Sequence, residues 1–120
     1  MALLERSWNP SGLTTDVSLM TFNTLAECYA TTEPQGFPFV DPNLLPWAYR
    51  SARMMDTLMP GGIAQADFYT LQEVDHYTDF FEPEFAKHNY SGLYKARTGA
   101  ADGAALFYNT SKFVTRLFNR

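Results

Sequence analysis

Residues 66–75 read Ala-Asp-Phe-Tyr-Thr-Leu-Gln-Glu-Val-Asp, and this stretch decides the fold that the sequence predicts. The run from Asp67 to Gln72 is rich in aromatic, aliphatic and β-branched residues, which is typical of a buried strand. Glu73 follows directly at the predicted end of that strand. Because a glutamate in such a position is more often a solvated surface residue, this stretch alone does not define a site.

An earlier stretch, Val17–Phe22, predicts another strand. Its apolar side chains fall on both alternating faces, so we expect both faces to be covered. Asn23 follows this strand as Glu73 follows the other. In open α/β sheets, ligands bind beyond the carboxyl ends of the strands, so we expect Asn23 and Glu73 to share one rim of the sheet. The competing interpretation is that Asn23 is a turn residue.

The remaining segments predict further helices and strands. The predicted elements are a long loop at 31–46, helices at 46–59 and at 78 or 79 to 88, strands at 90–96, 104–108 and 113–118, and a loose arm at 1–16. Four prolines exclude a helix or a central strand from the long loop. Phe81 and Phe85 lie four residues apart, on the core face of the second helix. This order of elements predicts an α/β fold with a mixed sheet.

The composition excludes several classes of protein. With 46% hydrophobic and 18% charged residues, the 120-residue chain can form a folded core. The net charge of −4 counts against passive coating of nucleic acid, although a bound divalent cation would supply local positive charge. The single cysteine excludes an internal disulfide, and neither a secretion signal nor a membrane-spanning run is evident. We therefore expect a cytoplasmic or nuclear protein that is not secreted and has no membrane partner.

Five short strings occur in a fixed order along the chain. They are Phe22-Asn23-Thr24-Leu25-Ala26, Cys28-Tyr29-Ala30-Thr31, Trp47-x-x-Arg50, Leu71-Gln72-Glu73-Val74-Asp75 and Asp102-Gly103-x-Ala105-Leu106-Phe107. This series resembles the opening part of the CCR4-type deadenylases and their relatives, nocturnin and the Angel proteins, within the endonuclease/exonuclease/phosphatase superfamily. The Leu-Gln-Glu-Val string is a fairly specific mark of the superfamily. The Tyr-Ala-Thr and Trp-x-x-Arg strings narrow the resemblance to the CCR4-like branch.

The resemblance implies a fold and a set of site residues. Residues 17–120 would form the N-terminal half of a four-layer α/β sandwich, truncated here, in which outer helices cover a mixed sheet. Glu73 would be a catalytic ligand for Mg²⁺, with Mn²⁺ as an alternative, and Asn23 would orient the scissile phosphate. Gln72 would help to orient Glu73 without binding the metal itself. Lys95 and Arg97 are candidates for contacts with phosphate, and a solvated sheet edge is the competing interpretation.

Three other polar strings are interpreted as structural. Asp75 is predicted to cap the second helix, with His76 at its periphery. Asp41-Pro42-Asn43 is predicted to form a turn. Asp102-Gly103 lies where the family turns into a central strand, so we expect a structural role there as well.

The resemblance implies a fragment of a magnesium-dependent phosphodiesterase. The first candidate is a 3′–5′ exoribonuclease that acts on poly(A) or other RNA 3′ ends, with proteins of a deadenylase complex as partners. The family's later catalytic residues have no counterpart in this sequence, so we expect the isolated chain to be inactive and one apolar face of its sheet to be exposed. The alternatives are a non-catalytic protein-interaction module of the same fold, a nocturnin-like dinucleotide phosphatase fragment, and an unrelated α/β domain.

Overall fold

The computed structural model describes residues 17–114, which form a mixed sheet with helices. The strands and α-helices, in chain order, are β1 (Leu19–Asn23), α1 (Trp47–Leu58), β2 (Phe68–Val74), α2 (Glu82–Ala86), β3 (Tyr90–Ala96) and β4 (Gly103–Asn109). Short 3₁₀ turns lie at Glu27–Tyr29, Pro42–Leu44 and Pro60–Gly62, and a π-helical turn lies at Tyr77–Phe81. The predicted α/β class with a mixed sheet is confirmed.

The sheet order is β1-β2-β4-β3, with β1 and β2 parallel and the other two pairings antiparallel. In the parallel pair, Asn23 lies opposite Gln72, so both strands end at the same edge of the sheet. The register between β2 and β4 shifts between Leu71 and Val74, which marks a bulge. Strand β2 therefore runs two residues beyond its predicted end and carries Glu73 within the bulge.

The helices cover one face of the sheet. Met54 and Leu58 of α1 are buried there, four residues apart on one side of the helix. Phe85 is fully buried and stacks on Phe107 of β4, with ring centroids 3.9 Å apart. The other core residues are Met59, Ala66, Tyr69, Leu71, Val74, Tyr77, Phe81, Tyr90 and Ala105. Among the described residues, neither helix combines the length and the apolar character needed to cross a membrane.

The prediction of a second α-helix is wrong for the first residues of that segment. Residues Tyr77–Phe81 form a π-helical turn, in which the Phe81 N–H donates to the His76 carbonyl, and only Glu82–Ala86 is α-helical. Pro83 lies in the first turn of α2, where its missing N–H is tolerated, so the regular helix begins there. Asn89 ends the segment in a left-handed conformation, with φ of 65°.

The opposite face of the sheet carries no helix in residues 17–114. The prediction that Val17–Phe22 is covered on both faces is wrong, because Val17 and Leu19 are 58% and 55% exposed. Strand β1 lies at the sheet edge, and only the face that carries Met20 and Phe22 packs on the core. Leu93 of β3 is also about half exposed on this open face. An apolar sheet face therefore remains uncovered by the described residues, as the family resemblance implies.

Two further predictions concern the loop and the chain ends. The Asp41 carboxylate accepts a hydrogen bond from the Asn43 N–H at 2.9 Å, which confirms a turn at Asp41-Pro42-Asn43. The predicted strand at 113–118 is not formed at Phe113 and Val114. The rest of that strand, and the predicted arm at 1–16, lie outside the described residues.

Candidate functional site

Asn23 and Glu73 meet where β1 and β2 end. The Asn23 side-chain amide donates a hydrogen bond from Nδ2 to Glu73 Oε1 at 3.0 Å. The parallel pairing of the two strands produces this contact, because it brings their carboxyl ends to one edge. The expected shared rim is therefore present in the fold, although the catalytic roles of the two residues stay a prediction.

The β2 bulge orients the Glu73 carboxylate. Glu73 has φ of 54°, a left-handed conformation that a non-glycine residue adopts at a local energetic cost. Its Oε2 accepts a hydrogen bond from the Ala26 N–H at 3.3 Å, while Oε1 accepts from Asn23. The carboxylate is thus held from two sides and remains half-buried at the rim.

The Asn23 amide is fixed in the same way. Its Oδ1 accepts a hydrogen bond from the Leu25 N–H at 2.8 Å, which leaves Nδ2 directed at Glu73. Leu25 itself has φ of 59°. Leu25 and Glu73, which is itself a member of the hydrogen-bonded pair, are therefore both in left-handed conformation, a concentration of strain that is typical of functional sites.

Gln72 lies beside the pair, but its side chain points along the sheet. Its Nε2 donates to Thr21 Oγ1 at 3.0 Å and to the Thr70 carbonyl at 3.3 Å. Its connection to the site runs through the main chain, since the Gln72 carbonyl accepts from both the N–H and the Oγ1 of Thr24. Support of Glu73 by the Gln72 side chain thus stays a prediction, and the contacts favour support by the backbone.

The five residues predicted for the site line one open depression of about 380 Å³. Lys95 reaches it from the end of β3 and Arg97 from the next turn, although β4 separates β3 from β2. The intervening residues are small: Ala104 pairs with Lys95, and a Cβ on Gly103 would come within 2.3 Å of the Lys95 carbonyl oxygen. The absence of side-chain bulk on β4 thus keeps the depression open between the carboxylate and the basic residues.

Arg97 is already engaged at the far wall of this depression. Its Nη2 donates to both carboxylate oxygens of Asp102, at 2.7 and 2.9 Å, and to the Tyr29 hydroxyl at 2.6 Å. The hydrogen bond to Asp102 raises the pKa of Arg97 above its ordinary value. Asp102 is buried, so the structural role expected there is consistent with its contacts. Lys95, which is exposed at the rim, is therefore the basic side chain better placed to meet an incoming anion.

Two residues that hold the site were not assigned a role from the sequence. Thr24 is only 3% exposed, and its hydroxyl donates toward the carbonyls of Gln72 and Glu73, at 2.9 and 3.1 Å. Arg50 donates from Nη1 to the Thr24 and Leu25 carbonyls. Both residues belong to strings that carry the family resemblance, and this was the signal that could have identified them. Their contacts span 25 residues or more, so the local sequence could not predict them.

A second polar cluster lies behind the loop that follows β1. His76 contacts Asp79 through Nδ1 at 2.8 Å and Glu27 through Nε2 at 2.7 Å, and its ring stacks on Trp47. The prediction of Asp75 as a cap of the second helix is wrong, because its carboxylate accepts from the Glu27 N–H at 2.8 Å. His76 is likewise not peripheral, since it bridges two segments.

These contacts shift the pKa of His76. Partial burial lowers its pKa, but the hydrogen bonds to Asp79 and Glu27 outweigh burial, and the pKa lies above its ordinary value. The same bond to His76 lowers the pKa of Asp79. Glu27, Asp75 and His76 also have the spacing of a metal-binding group. However, two carboxylates facing both ring nitrogens favour an imidazolium, which is a poor metal ligand.

Several known proteins are similar to this chain in sequence. No protein-family model matches the chain. The chain is 34% identical over 110 residues to the CCR4-Not complex 3′-5′-exoribonuclease subunit Ccr4 of Neurospora crassa, covering 82% of this chain and 13% of the relative. It is 38% identical over 95 residues to carbon catabolite repressor protein 4 homolog 4 of Arabidopsis thaliana, covering 78% of this chain and 22% of that relative. The chain therefore spans less than a quarter of the length of either relative.

Solved structures are also similar to this chain in fold. The crystal structure of ANGEL2, a 2′,3′-cyclic phosphatase, in complex with adenosine-2′,3′-vanadate matches with a TM-score of 0.74 and 26% identity, over 92% of this chain and 32% of that one. The human nocturnin catalytic domain with bound sulfate matches with a TM-score of 0.58 and 26% identity, over 79% of this chain and 33% of that one. The chain belongs to the endonuclease/exonuclease/phosphatase superfamily. Within it, the similarity is to the Ccr4, Angel and nocturnin proteins.

Proposed function

We propose that this chain supplies the Asn23–Glu73 part of a magnesium-dependent phosphodiesterase site, in a 3′–5′ exoribonuclease of the deadenylase type. The observation that carries the proposal is the 3.0 Å contact between the amide and the carboxylate at the carboxyl edge of two parallel strands. Both groups are oriented by backbone N–H donors before any ligand arrives. Such preorganisation is what a site for charged intermediates requires.

The donor set fits Mg²⁺. This ion is bound in proteins by one or two carboxylates, several waters and phosphate oxygens of the substrate, so one half-exposed glutamate is sufficient protein ligation on this side. Glu73 would hold the ion, and Mn²⁺ would be accepted by the same oxygens. When bound, the ion would stabilise charge that develops on the phosphate. Asn23 would direct its amide at a phosphate oxygen without adding negative charge.

The walls of the depression suit an anionic substrate. Lys95 is exposed at the rim, and the Arg97 guanidinium lies at the far wall, where it is paired with Asp102. An RNA 3′ end would bring its phosphate to the ion and leave its bases outside the depression. The exoribonuclease names of the fungal Ccr4 relatives support RNA as the substrate. The single cysteine supports a cytoplasmic or nuclear location, and the CCR4-Not subunit names support partners in a deadenylase complex.

A second candidate is a cyclic phosphatase, supported by the fold match to ANGEL2 over 92% of the chain. A nocturnin-like dinucleotide phosphatase is supported more weakly, by a TM-score of 0.58. All three reactions need a metal and an oriented phosphate, so they share the Asn23–Glu73 pair. The three reactions differ in the part of the substrate that is attached to the phosphate. Comparing poly(A), 2′,3′-cyclic AMP and a dinucleotide phosphate as ligands distinguishes them.

Metal binding by the full chain tests the proposal. Free Mn²⁺ would be measured by electron paramagnetic resonance during titration, for the unchanged chain and for the Glu73→Gln variant. We expect the variant to bind Mn²⁺ at least about tenfold more weakly, a difference of about 1.4 kcal/mol, because it loses the only charged ligand of the pair. Glu33→Gln is the matched control, since Glu33 is an exposed loop glutamate whose removal changes the net charge equally. Equal affinities for the unchanged chain and Glu73→Gln would overturn the proposed site.

Nucleotide binding separates the enzyme from a non-catalytic interaction module. We expect AMP to bind the unchanged chain in the presence of Mg²⁺ and to bind much more weakly after Lys95→Gln or Glu73→Gln. A module retained only for protein contacts has no reason to preserve both the metal and the phosphate contact. Absence of Mg²⁺-dependent AMP binding would therefore favour the module.

A further inference from the structure

The turn that orients the candidate site is strained. Leu25 adopts a φ of 59°, where its Cβ crowds the backbone, and no glycine relieves the strain. Yet this conformation allows the Leu25 N–H to reach Asn23 Oδ1 and the Ala26 N–H to reach Glu73 Oε2. Such a conformation persists only when surrounding contacts determine it.

Arg50 of α1 supplies those contacts. Its Nη1 donates to the Leu25 carbonyl at 2.7 Å and to the Thr24 carbonyl at 3.0 Å, so one nitrogen grips both peptide units at the turn. Its Nε donates to the Leu45 carbonyl at 2.8 Å, which fixes the guanidinium plane. The guanidinium also lies 5.3 Å from the Trp47 ring. Leu45 and Trp47 therefore hold the guanidinium on one side, while its Nη1 binds the turn on the other.

The environment of Arg50 is costly for an arginine. Its Nη2 is buried without a hydrogen-bond partner, and burial lowers the pKa of the guanidinium. The carboxylates of Asp75 and Glu27 offset this only through space. Buried charges of this kind are weak contributors to stability, and apolar residues of similar size often replace them without loss. The carbonyl contacts at the turn give a more direct reason for an arginine at this position than stability does.

We propose that Arg50 is a positioning residue for the Asn23–Glu73 pair. By holding the carbonyls of Thr24 and Leu25, it keeps the next two N–H groups aimed at the asparagine oxygen and the glutamate oxygen. The effect of Arg50 on metal and phosphate binding rests on the proposed function, whereas its effect on the conformation of the turn does not. Lysine cannot replace it, because a single ammonium lacks the planar fork that bonds to Leu45 on one side and to the turn on the other.

The test measures the turn and the metal site separately, in the full chain. Amide hydrogen exchange of Leu25 and Ala26 would be followed by NMR without metal, and Mn²⁺ affinity by electron paramagnetic resonance. We expect Arg50→Lys to speed exchange of these two amides at least about tenfold relative to core amides, and to weaken Mn²⁺ binding. The matched control is Arg53→Lys, since Arg53 lies on the same helix and its guanidinium contacts Tyr49 of that helix rather than the turn.

The outcomes are distinguishable. Unchanged exchange at both amides in Arg50→Lys overturns the positioning role. Faster exchange in a chain that never binds Mn²⁺ supports the positioning role and sinks the proposed function instead. If Arg50→Lys does not fold, the unchanged chain still decides the matter: both amides must be protected, and exchange at free-peptide rates refutes the inference. A purely structural role is excluded if Arg50→Lys weakens Mn²⁺ binding less in an Asn23→Ala background than in the unchanged chain.

Discussion

The substitution Asn23→Asp tests the geometry of the candidate site most directly. The aspartate keeps an oxygen in the place of Oδ1, so the hydrogen bond from the Leu25 N–H is retained. It replaces the Nδ2 donor with a second oxygen, 3.0 Å from Glu73 Oε1. The perturbation therefore converts one attractive contact into a repulsive one and leaves the rest of the turn unchanged.

The magnitude follows from that distance. Two unit charges 3.0 Å apart repel by about 1.4 kcal/mol at a dielectric constant of 80, and by about 5.5 kcal/mol at a dielectric constant of 20. The pair is exposed, so the lower figure applies, reduced further as the side chains move apart. Adding the lost hydrogen bond, about 1 kcal/mol, we expect the free energy of unfolding to fall by about 2 kcal/mol at pH 8.

The assay is urea unfolding at pH 8 and pH 4, with and without Mg²⁺. Close carboxylates raise the pKa of one of them, so the repulsion is present at high pH and disappears as the pH falls through the raised value. The variant should therefore regain stability relative to the unchanged chain at pH 4. Mg²⁺ at pH 8 should stabilise it more than the unchanged chain, because the variant offers two carboxylates. Asn23→Ala, which loses the hydrogen bond without adding charge, separates the two contributions.

One result would refute the reasoning. If Asn23→Asp loses no more stability at pH 8 than Asn23→Ala, and gains nothing at pH 4, the two side chains are not neighbours in solution. The proposed metal site would then lose its main support, whatever the binding experiments showed.

Two further predictions concern other parts of the fold. The pKa of His76 is raised above about 6.5, so its bridge between Glu27 and Asp79 should stabilise the fold fully below that pH and lose its effect as pH rises through the raised value. Urea unfolding across pH 6–9 should show this fall in the unchanged chain and a flatter profile in His76→Gln; equal slopes would contradict it. Phe85→Ala should lower the free energy of unfolding by about 3–5 kcal/mol, because a fully buried ring stacked on Phe107 is removed. A loss below about 1 kcal/mol by the same assay would show that this stack is not part of the core.

Local chemistry determined much of the architecture. The sequence predicted β1, β2 and β3, the prolines predicted the long loop, and the helix predicted at 46–59 is α1. These features depend on residues close together in the chain, so a sequence read in order reveals them. The same reading named Asn23 and Glu73, since parallel strands bring their carboxyl ends to one edge.

Tertiary structure decided how those residues are held. The left-handed conformation of Glu73 arises from a bulge that depends on pairing with β4, about 30 residues further along the chain. The contact of Arg50 with the Leu25 carbonyl spans 25 residues, and that of His76 with Glu27 spans 49. Such contacts form only after the sheet and α1 have packed, because no local propensity specifies which distant carbonyl or carboxylate a side chain will meet. The sequence by itself thus determined the chemistry available at the rim, and packing decided its geometry.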